Sequence, residues 1–320
     1  MNDVLFEGLT IVPDTGETLL DALLRHGQTI PNGCRSGICQ SCIVIDQDNT
    51  ISNKPQTGLS EQQKALGYFY SCSCIPSTFD KPAKIARAQI DSDINATVVE
   101  KTPLNDAVFR LRLAAELPYK PGQFVTLWKN KDVARSYSIA SCQTEDSAIE
   151  LHIKRYPNGA FSQWAFDELE SGSRIALRGP YGRCFYTPGK ADAPLLLAGI
   201  GTGLAPLYGI VRDALSQQHT GPIFMVLGAK NSQAFYYQQE LKDLAAKYAN
   251  LNLAFVSQDS PHEEGDIYRF IKNAHPDMKG YKVFLCGADS FVKKMKKQSF
   301  LAGANMGDIA ADSFLAASTT

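Results

Sequence analysis

Gly33-Cys34-Arg35-Ser36-Gly37-Ile38-Cys39-Gln40-Ser41-Cys42 is the stretch on which the reading of this chain turns. Its three cysteines stand at Cys-x4-Cys-x2-Cys, and Cys72 and Cys74 follow after a long gap. Four thiolates can bind zinc or iron, but structural zinc sites usually present two close pairs, whereas here a triplet precedes a distant single. The triplet spacing is one that [2Fe–2S] clusters take. A two-iron cluster needs a loop wrapped round it, with small side chains that let amides reach the sulfurs; Gly33, Ser36, Gly37 and Ser41 supply them. A [2Fe–2S] cluster is therefore the expected occupant, with structural zinc as its rival. Cys72 and Cys74 are two apart in a segment expected to be extended over 68–75, so they share a face and either can complete the set.

Working outward, residues 3–13 read as two short strands with a turn at Glu7-Gly8. Leu19, Leu20, Leu23 and Leu24 recur at helical spacing, and Gly27 suits the stop. A strand at 43–45 follows the cysteine loop, 68–75 closes the unit and 76–82 leaves it, giving a first domain over 1–86. Short alternating strands at 96–100, 107–113, 124–128, 136–139, 149–154 and 174–177 then come between turns such as Pro121-Gly122 and Pro157-Asn158-Gly159. With one helix at 162–169 they predict an antiparallel β-barrel over 90–190. Over 191–320 apolar strands (195–198, 223–227, 253–256, 282–286) alternate with helical stretches (205–216, 239–248, 267–274, 290–302). That alternation predicts an α/β domain with a parallel sheet covered by helices.

The 320 residues are 44% hydrophobic and 20% charged, an ordinary globular composition with apolar mass for more than one core. Lys+Arg (32) and Asp+Glu (33) nearly cancel, so charge offers no case for nucleic acid or an anionic membrane. The start, MNDVLFEGLT, carries acids where an export signal needs a basic run. The uncharged stretch 193–211 is interrupted by Pro194, Gly199, Gly201, Gly203, Pro206 and Gly209, which a simple spanning helix would not choose. A soluble, cytoplasmic protein is expected, in a reducing compartment where clustered cysteines hold metal rather than disulfides.

Two further constellations carry chemistry. Arg135-Ser136-Tyr137-Ser138 sets a cation, an aromatic and hydroxyls along one strand; Ile153-Lys154 and Gly159-Ala160-Phe161-Ser162 follow it and open a helix, whose small-residue N-terminus suits a phosphate. In Gly199-Ile200-Gly201-Thr202-Gly203-Leu204-Ala205-Pro206 a strand passes through glycines into a helix, so backbone amides can approach a pyrophosphate. Cys286-Gly287 ends a later strand, at the sheet edge where parallel sheets bind ligands. The five histidines, His26, His152, His219, His262 and His275, show no metal pattern, and Cys142 and Cys184 read as packing residues.

These motifs together resemble the reductase components of bacterial multicomponent oxygenases: a plant-type ferredoxin domain fused ahead of a ferredoxin–NAD(P)⁺ reductase-like module. The resemblance implies a multidomain fold, with an α+β β-grasp ferredoxin domain, an antiparallel β-barrel FAD domain and an α/β NAD domain. It implies Cys72, with Pro76 four residues on, as the fourth cluster ligand beside Cys34, Cys39 and Cys42, leaving Cys74 as a buried neighbour. It also implies FAD. Arg135 and Ser162 would meet the flavin pyrophosphate, Tyr137 would lie against the isoalloxazine and Ser138 would approach N5, with Ser136, Ile153, Lys154, Gly159 and Phe161 also contacting the cofactor. Thr202 and Cys286 would flank the nicotinamide, alongside Gly201, Gly203 and Gly287. Ser138, Thr202 and Cys286 are then the catalytic candidates. Family members often end on an acid–x–aromatic that touches the flavin; Asp312-Ser313-Phe314 matches, with Asp where Glu is frequent and six residues after Phe314.

NADH is expected over NADPH, because Gln258 is uncharged and Asp259 would repel an adenosine phosphate, although Lys230 could grip one. Electrons would pass from NADH to FAD to the cluster and then to a terminal oxygenase of an aromatic- or alkane-degrading system, directly or through a separate ferredoxin. A deoxysugar dehydratase is the alternative acceptor, and a zinc-held or redox-sensing interaction module is the rival of a different class. A monomer is expected.

Overall fold

The computed structural model describes residues 3–79, 81–88, 94–259 and 266–314. His262 and residues 315–320 lie outside the described residues. Each third of the chain builds its own sheet. The first comprises β1 (Val4–Phe6), β2 (Leu9–Ile11), β3 (Ile43–Asp46), β4 (Tyr68–Tyr70) and β5 (Ala83–Arg87), with α1 (Leu19–Arg25) and α2 (Glu61–Ala65) between strands. Their order is β2-β1-β5-β3-β4. The β1–β5 pair is parallel, the other pairings antiparallel. Glu7 and Gly8 both take positive φ, the geometry a two-residue hairpin requires. Helix α1 forms because Thr18 accepts the Asp21 amide at its start and Leu19, Leu20 and Leu23 are wholly buried on one face. That face joins Val4, Phe6 and Ile85 in one core, an α+β arrangement of helix on mixed sheet.

Here the structure departs from the sequence reading twice. Only 68–70 of the expected strand 68–75 pairs as a strand; Ser71–Ser73 turns as a 3₁₀ helix, because Ser71 donates both its amide (3.1 Å) and its hydroxyl (2.8 Å) to the Cys42 carbonyl. Cys72 and Cys74 therefore do not share a strand face. The unit is also not closed by that segment, since β5, beyond the expected exit, sits in the middle of the sheet.

The second sheet holds β6 (Ile94–Pro103), β7 (Val108–Ala114), β8 (Phe124–Asn130), β9 (Val133–Ser138), β10 (Ile149–Lys154) and β11 (Arg174–Tyr181), with α3 (Ser162–Glu168) before β11. Its order is β10-β7-β6-β11-β8-β9 and every pairing is antiparallel. An Ile139–Leu151 bridge and the Ala140 amide on the Glu150 carbonyl (2.8 Å) join the two ends, closing the barrel. Val98, Leu111, Val125, Leu127, Leu151 and Ile153 fill it.

The third sheet is parallel throughout: β12 (Leu195–Ile200), β13 (Ile223–Ala229), β14 (Leu251–Ser257), β15 (Lys282–Ala288) and β16 (Ile309–Phe314), in the order β14-β13-β12-β15-β16. Helices α4 (Leu204–Ser216) and α5 (Gln238–Lys247) follow β12 and β13, and α6 (Ile267–Ala274) and α7 (Asp289–Leu301) precede β15 and β16. Two separate apolar cores, one holding Leu207 and Leu241 and the other Ile271 and Met295, put helices on both faces. Strand β16 was absent from the sequence reading. Its Ile-Ala-Ala-Asp-Ser-Phe composition carries neither the β-branched run nor the alternation that marks a strand. No helix among the described residues is long and apolar enough to cross a membrane.

Candidate redox centre

The thiol loop curls because Arg35, Gly37 and Gln40 all adopt positive φ. At Gly37 this is also a matter of room: a Cβ there would meet Ser73 Oγ at 3.1 Å and the Tyr70 ring at 3.4 Å. The Cys39 amide donates to Cys34 Sγ (3.3 Å), the Cys34 amide to Cys39 Sγ (3.4 Å), and the Ser36 amide to Cys34 Sγ (3.5 Å). The thiols stand in two pairs. The Cys39 thiol's hydrogen bond draws Cys34 down to about 5, and the Cys42 thiol draws Cys72 down to about 7, while Cys39 and Cys42 rise. Burial lifts Cys74 to about 12, and its thiol packs in the core instead. Among the described residues no three His, Cys, Asp or Glu converge on a single-ion position. Two thiol pairs with amide donors to sulfur fit a binuclear cluster, whose irons share four cysteine ligands.

Beside this loop lies a cleft of about 100 Å³, open to solvent on one side. Its wall takes Asn32, Gly33 and Cys34 from the loop, Phe124 from β8, Arg135, Ser136 and Ser138 from β9, and Asp312, Ser313 and Phe314 from β16. Ser138 Oγ donates to Asp312 Oδ2 at 2.7 Å, and burial raises the Asp312 carboxyl to about 6. Arg135 Nη1 donates to the Asn32 carbonyl at 3.3 Å. The loop touches β9 closely: a Cβ on Gly33 would lie 2.9 Å from Ser136 Oγ. Thr126 Oγ1 sits 3.2 Å from the Cys39 carbonyl and 3.0 Å from Ser136 Oγ. Its two aromatic rings, three hydroxyls, carboxyl and guanidinium suit the edge of a planar ring with polar atoms and a phosphate tail.

Other expected flavin contacts stand outside this wall. Tyr137 points to the opposite side of β9 from Ser136 and Ser138, where its ring packs 5.5 Å from Phe161. Gly159 and Ser162 form a tight turn before α3; Ser162 Oγ accepts the Tyr156 amide at 3.1 Å, and a Gly159 Cβ would come within 2.5 Å of it. Ile153 fills the barrel core, and Lys154 Nζ lies 5.2 Å over the Tyr156 ring.

At the end of β12, Gly201–Gly203 turns into α4 with Gly201 at φ +57. A Cβ at Gly203 would strike the Cys286 carbonyl at 2.1 Å, and one at Gly287 the Ile200 side chain at 2.8 Å. Cys286 is wholly buried, and its thiol lies 3.7 Å from the Cys184 thiol instead of lining the cleft. That pairing left no trace in the sequence, where 102 positions separate the two. At the ends of β13 and β14, Asp259 accepts the Ser232 amide (3.1 Å) and hydroxyl (3.3 Å); the Ser257 hydroxyl first, and then these bonds, hold its carboxyl below the usual range, and Lys230 is exposed nearby.

Three family models match in succession: a 2Fe-2S iron-sulfur cluster binding domain over 4–77, an oxidoreductase FAD-binding domain over 95–186 and an oxidoreductase NAD-binding domain over 196–297. The ferredoxin–NAD(P)⁺ reductase component of the naphthalene 1,2-dioxygenase/salicylate 5-hydroxylase systems of a Ralstonia species is 30% identical over 318 residues, 94% of each chain. The reductase subunit of an Amycolatopsis aromatic O-demethylase is 31% identical over 299 residues, 88% of each. The chain belongs to the ferredoxin–NAD(P)⁺ reductase components of oxygenase systems. This reductase is accordingly an iron–sulfur flavoprotein oxidoreductase, with domains for a [2Fe–2S] cluster, FAD and NAD(P)H. Among solved structures, an Amycolatopsis cytochrome P450 reductase superposes with a TM-score of 0.68 at 25% identity, covering 98% of this chain and 99% of that one. The ferredoxin reductase in carbazole 1,9a-dioxygenase shares the fold at a TM-score of 0.65 and 24% identity, 98% of each chain.

The structure brings Cys34, Arg135, Ser136, Ser138 and Phe314, each singled out in the sequence for a different reason, to one cleft wall. Asn32 stands there too and Thr126 lies behind it, and neither belongs to a motif; their places come from which strand faces the thiol loop.

Proposed function

We propose that this reductase takes electrons from NADH and delivers them one at a time to a terminal oxygenase, through a cluster held by Cys34, Cys39, Cys42 and Cys72. The observation that carries this reading is the shared cleft wall, where Cys34 stands with Ser138 and Asp312. When bound, flavin supplies the change from paired to single electrons and the cluster carries the single ones onward.

Within that scheme Arg135 would offer a cation to the flavin phosphates, Phe124 and Phe314 would supply apolar faces for the ring, and Ser138, its hydroxyl aimed by Asp312, would present oxygen to the ring. Thr202 meets the nicotinamide from the turn after β12. Cys286, its thiol against Cys184, supports that turn from beneath through the carbonyl on which Gly203 rests. The preference for NADH follows from Asp259, a carboxylate where an extra phosphate would lie. Domain limits of 1–86, 90–190 and 191–320 accommodate the three family matches. The reducing cytoplasm, where clustered thiols hold metal and do not pair as disulfides, is the compartment this reading expects.

The test is direct. Purified protein should contain two irons and one FAD per chain and reduce cytochrome c faster with NADH than with NADPH. Zinc in place of iron, or colourless protein, would overturn the proposal.

A further inference from the structure

We infer that Thr126 is a positioning residue, pinning the thiol loop to the flavin strand and so setting the gap that electrons cross; the inference rests on the electron path proposed above. Thr126 is completely buried in the middle of β8. On either side, Val125 and Leu127 fill the barrel, so Thr126 projects from the outer surface, toward the loop. Its hydroxyl has one proton and two neighbours. A carbonyl can only accept, so Thr126 donates to the Cys39 carbonyl (3.2 Å), and the Ser136 hydroxyl (3.0 Å) must then donate to Thr126. The result is a directed relay, Ser136 to Thr126 to Cys39, running from the strand that lines the cleft to the peptide of a cluster-ligand cysteine.

The other contacts between this loop and the barrel, Arg135 on the Asn32 carbonyl and Gly33 against Ser136, lie at the loop's beginning. Thr126 alone among these three reaches the carbonyl of one of the four thiol residues. Across β11 its register partner is Arg178, whose guanidinium stacks 4.2 Å over Trp128, so the surface around the hydroxyl is packed and leaves little room for the loop to settle elsewhere. Removing the hydroxyl while keeping the shape would leave the buried Cys39 carbonyl short of a donor, while the half-buried Ser136 hydroxyl can turn to the cleft, and the loop would shift to recover a partner. Electron transfer falls steeply with the gap between donor and acceptor, so a small shift costs rate at that step and not at hydride transfer.

The experiment uses the full chain with its cofactors, as Thr126→Val and Thr126→Ser. Four quantities are measured: iron and FAD content, flavin bleaching after anaerobic mixing with NADH, arrival of the electron at the cluster by freeze-quench paramagnetic resonance, and hydrogen exchange of amides 33–42. Thr126→Val should keep both cofactors and bleach its flavin within twofold of wild type. Cluster reduction should slow by about tenfold or more, and the loop amides should exchange faster, with Thr126→Ser restoring both. Should Thr126→Val not fold, Thr126→Ala gives the same split between the two steps. Unchanged cluster reduction in the variant, equal slowing of both steps, or no rescue by serine would overturn the role of Thr126. A wild-type protein that binds no iron would instead overturn the electron path itself, and Thr126 with it.

Discussion

Ser138 donates a 2.7 Å hydrogen bond to Asp312, tying strand β9 of the barrel to strand β16 of the parallel sheet. The bond makes one surface of two domains: the acid aims the hydroxyl, and the hydroxyl partly offsets the burial that lifts the acid to about 6. A neutral-to-charged transition in this wall therefore falls near physiological pH.

That transition gives a signed prediction. A carboxyl raised in the folded state stabilises the fold fully below its unfolded value near 3.8, and the contribution is lost as pH rises through about 6. Asp312→Asn lacks this dependence. Melting temperatures recorded from pH 4 to 7.5 should show the variant gaining on wild type by about 2–4 °C across that range. A constant difference would mean Asp312 does not titrate there.

Cysteine replacements should separate ligands from neighbours. Serine at Cys34, Cys39, Cys42 or Cys72 should abolish the iron content of the purified protein, whereas Cys74→Ala should retain it, since burial keeps that thiol protonated. Iron analysis with the visible spectrum decides; a cluster surviving Cys72→Ala but lost in Cys74→Ala reverses the assignment.

Gly203→Ala drives a methyl group to 2.1 Å from the Cys286 carbonyl. Overpacking of this kind costs roughly 1–3 kcal/mol, and relief requires the turn after β12 to move. The expected outcome is an NADH KM raised about tenfold with FAD content intact, because the displaced turn belongs to the parallel sheet and not to the barrel. Steady-state kinetics with flavin quantitation checks it.

Removing the carboxylate at position 259 tests the source of cofactor preference. Asp259→Asn can still accept from Ser232, so the loop between β13 and α5 should keep its place while the repulsion disappears. The ratio of kcat/KM for NADPH over NADH should rise about tenfold, equivalent to ~1.4 kcal/mol. An unchanged ratio would place the adenosine phosphate elsewhere.

Much of this architecture was legible because its signals are local. Cys34, Cys39 and Cys42 announce themselves by spacing, the barrel by short alternating strands, and the parallel sheet by apolar runs between helices. What escaped depends on tertiary partners. Strand β16 reads as coil because its alanines carry no pattern, and it is a strand only because β15 offers an edge. Residues 71–75 read as strand until Ser71 turns back to the Cys42 carbonyl. The Cys286 thiol lies against the Cys184 thiol, a contact no spacing could disclose. Thr126 is an ordinary β-residue by composition, singled out only by the loop that lands on it.

The cleft wall also has an order in time. It joins residues 32–34 to residues 312–314, made far later, so at roughly 5–20 residues per second the ribosome spends many seconds on a chain whose thiol loop exists without Asp312 or Phe314. Such a nascent chain can fold its first sheet and gather its thiols while it has no complete seat for a flavin. Synthesis thus leaves this wall incomplete until strand β16 is made.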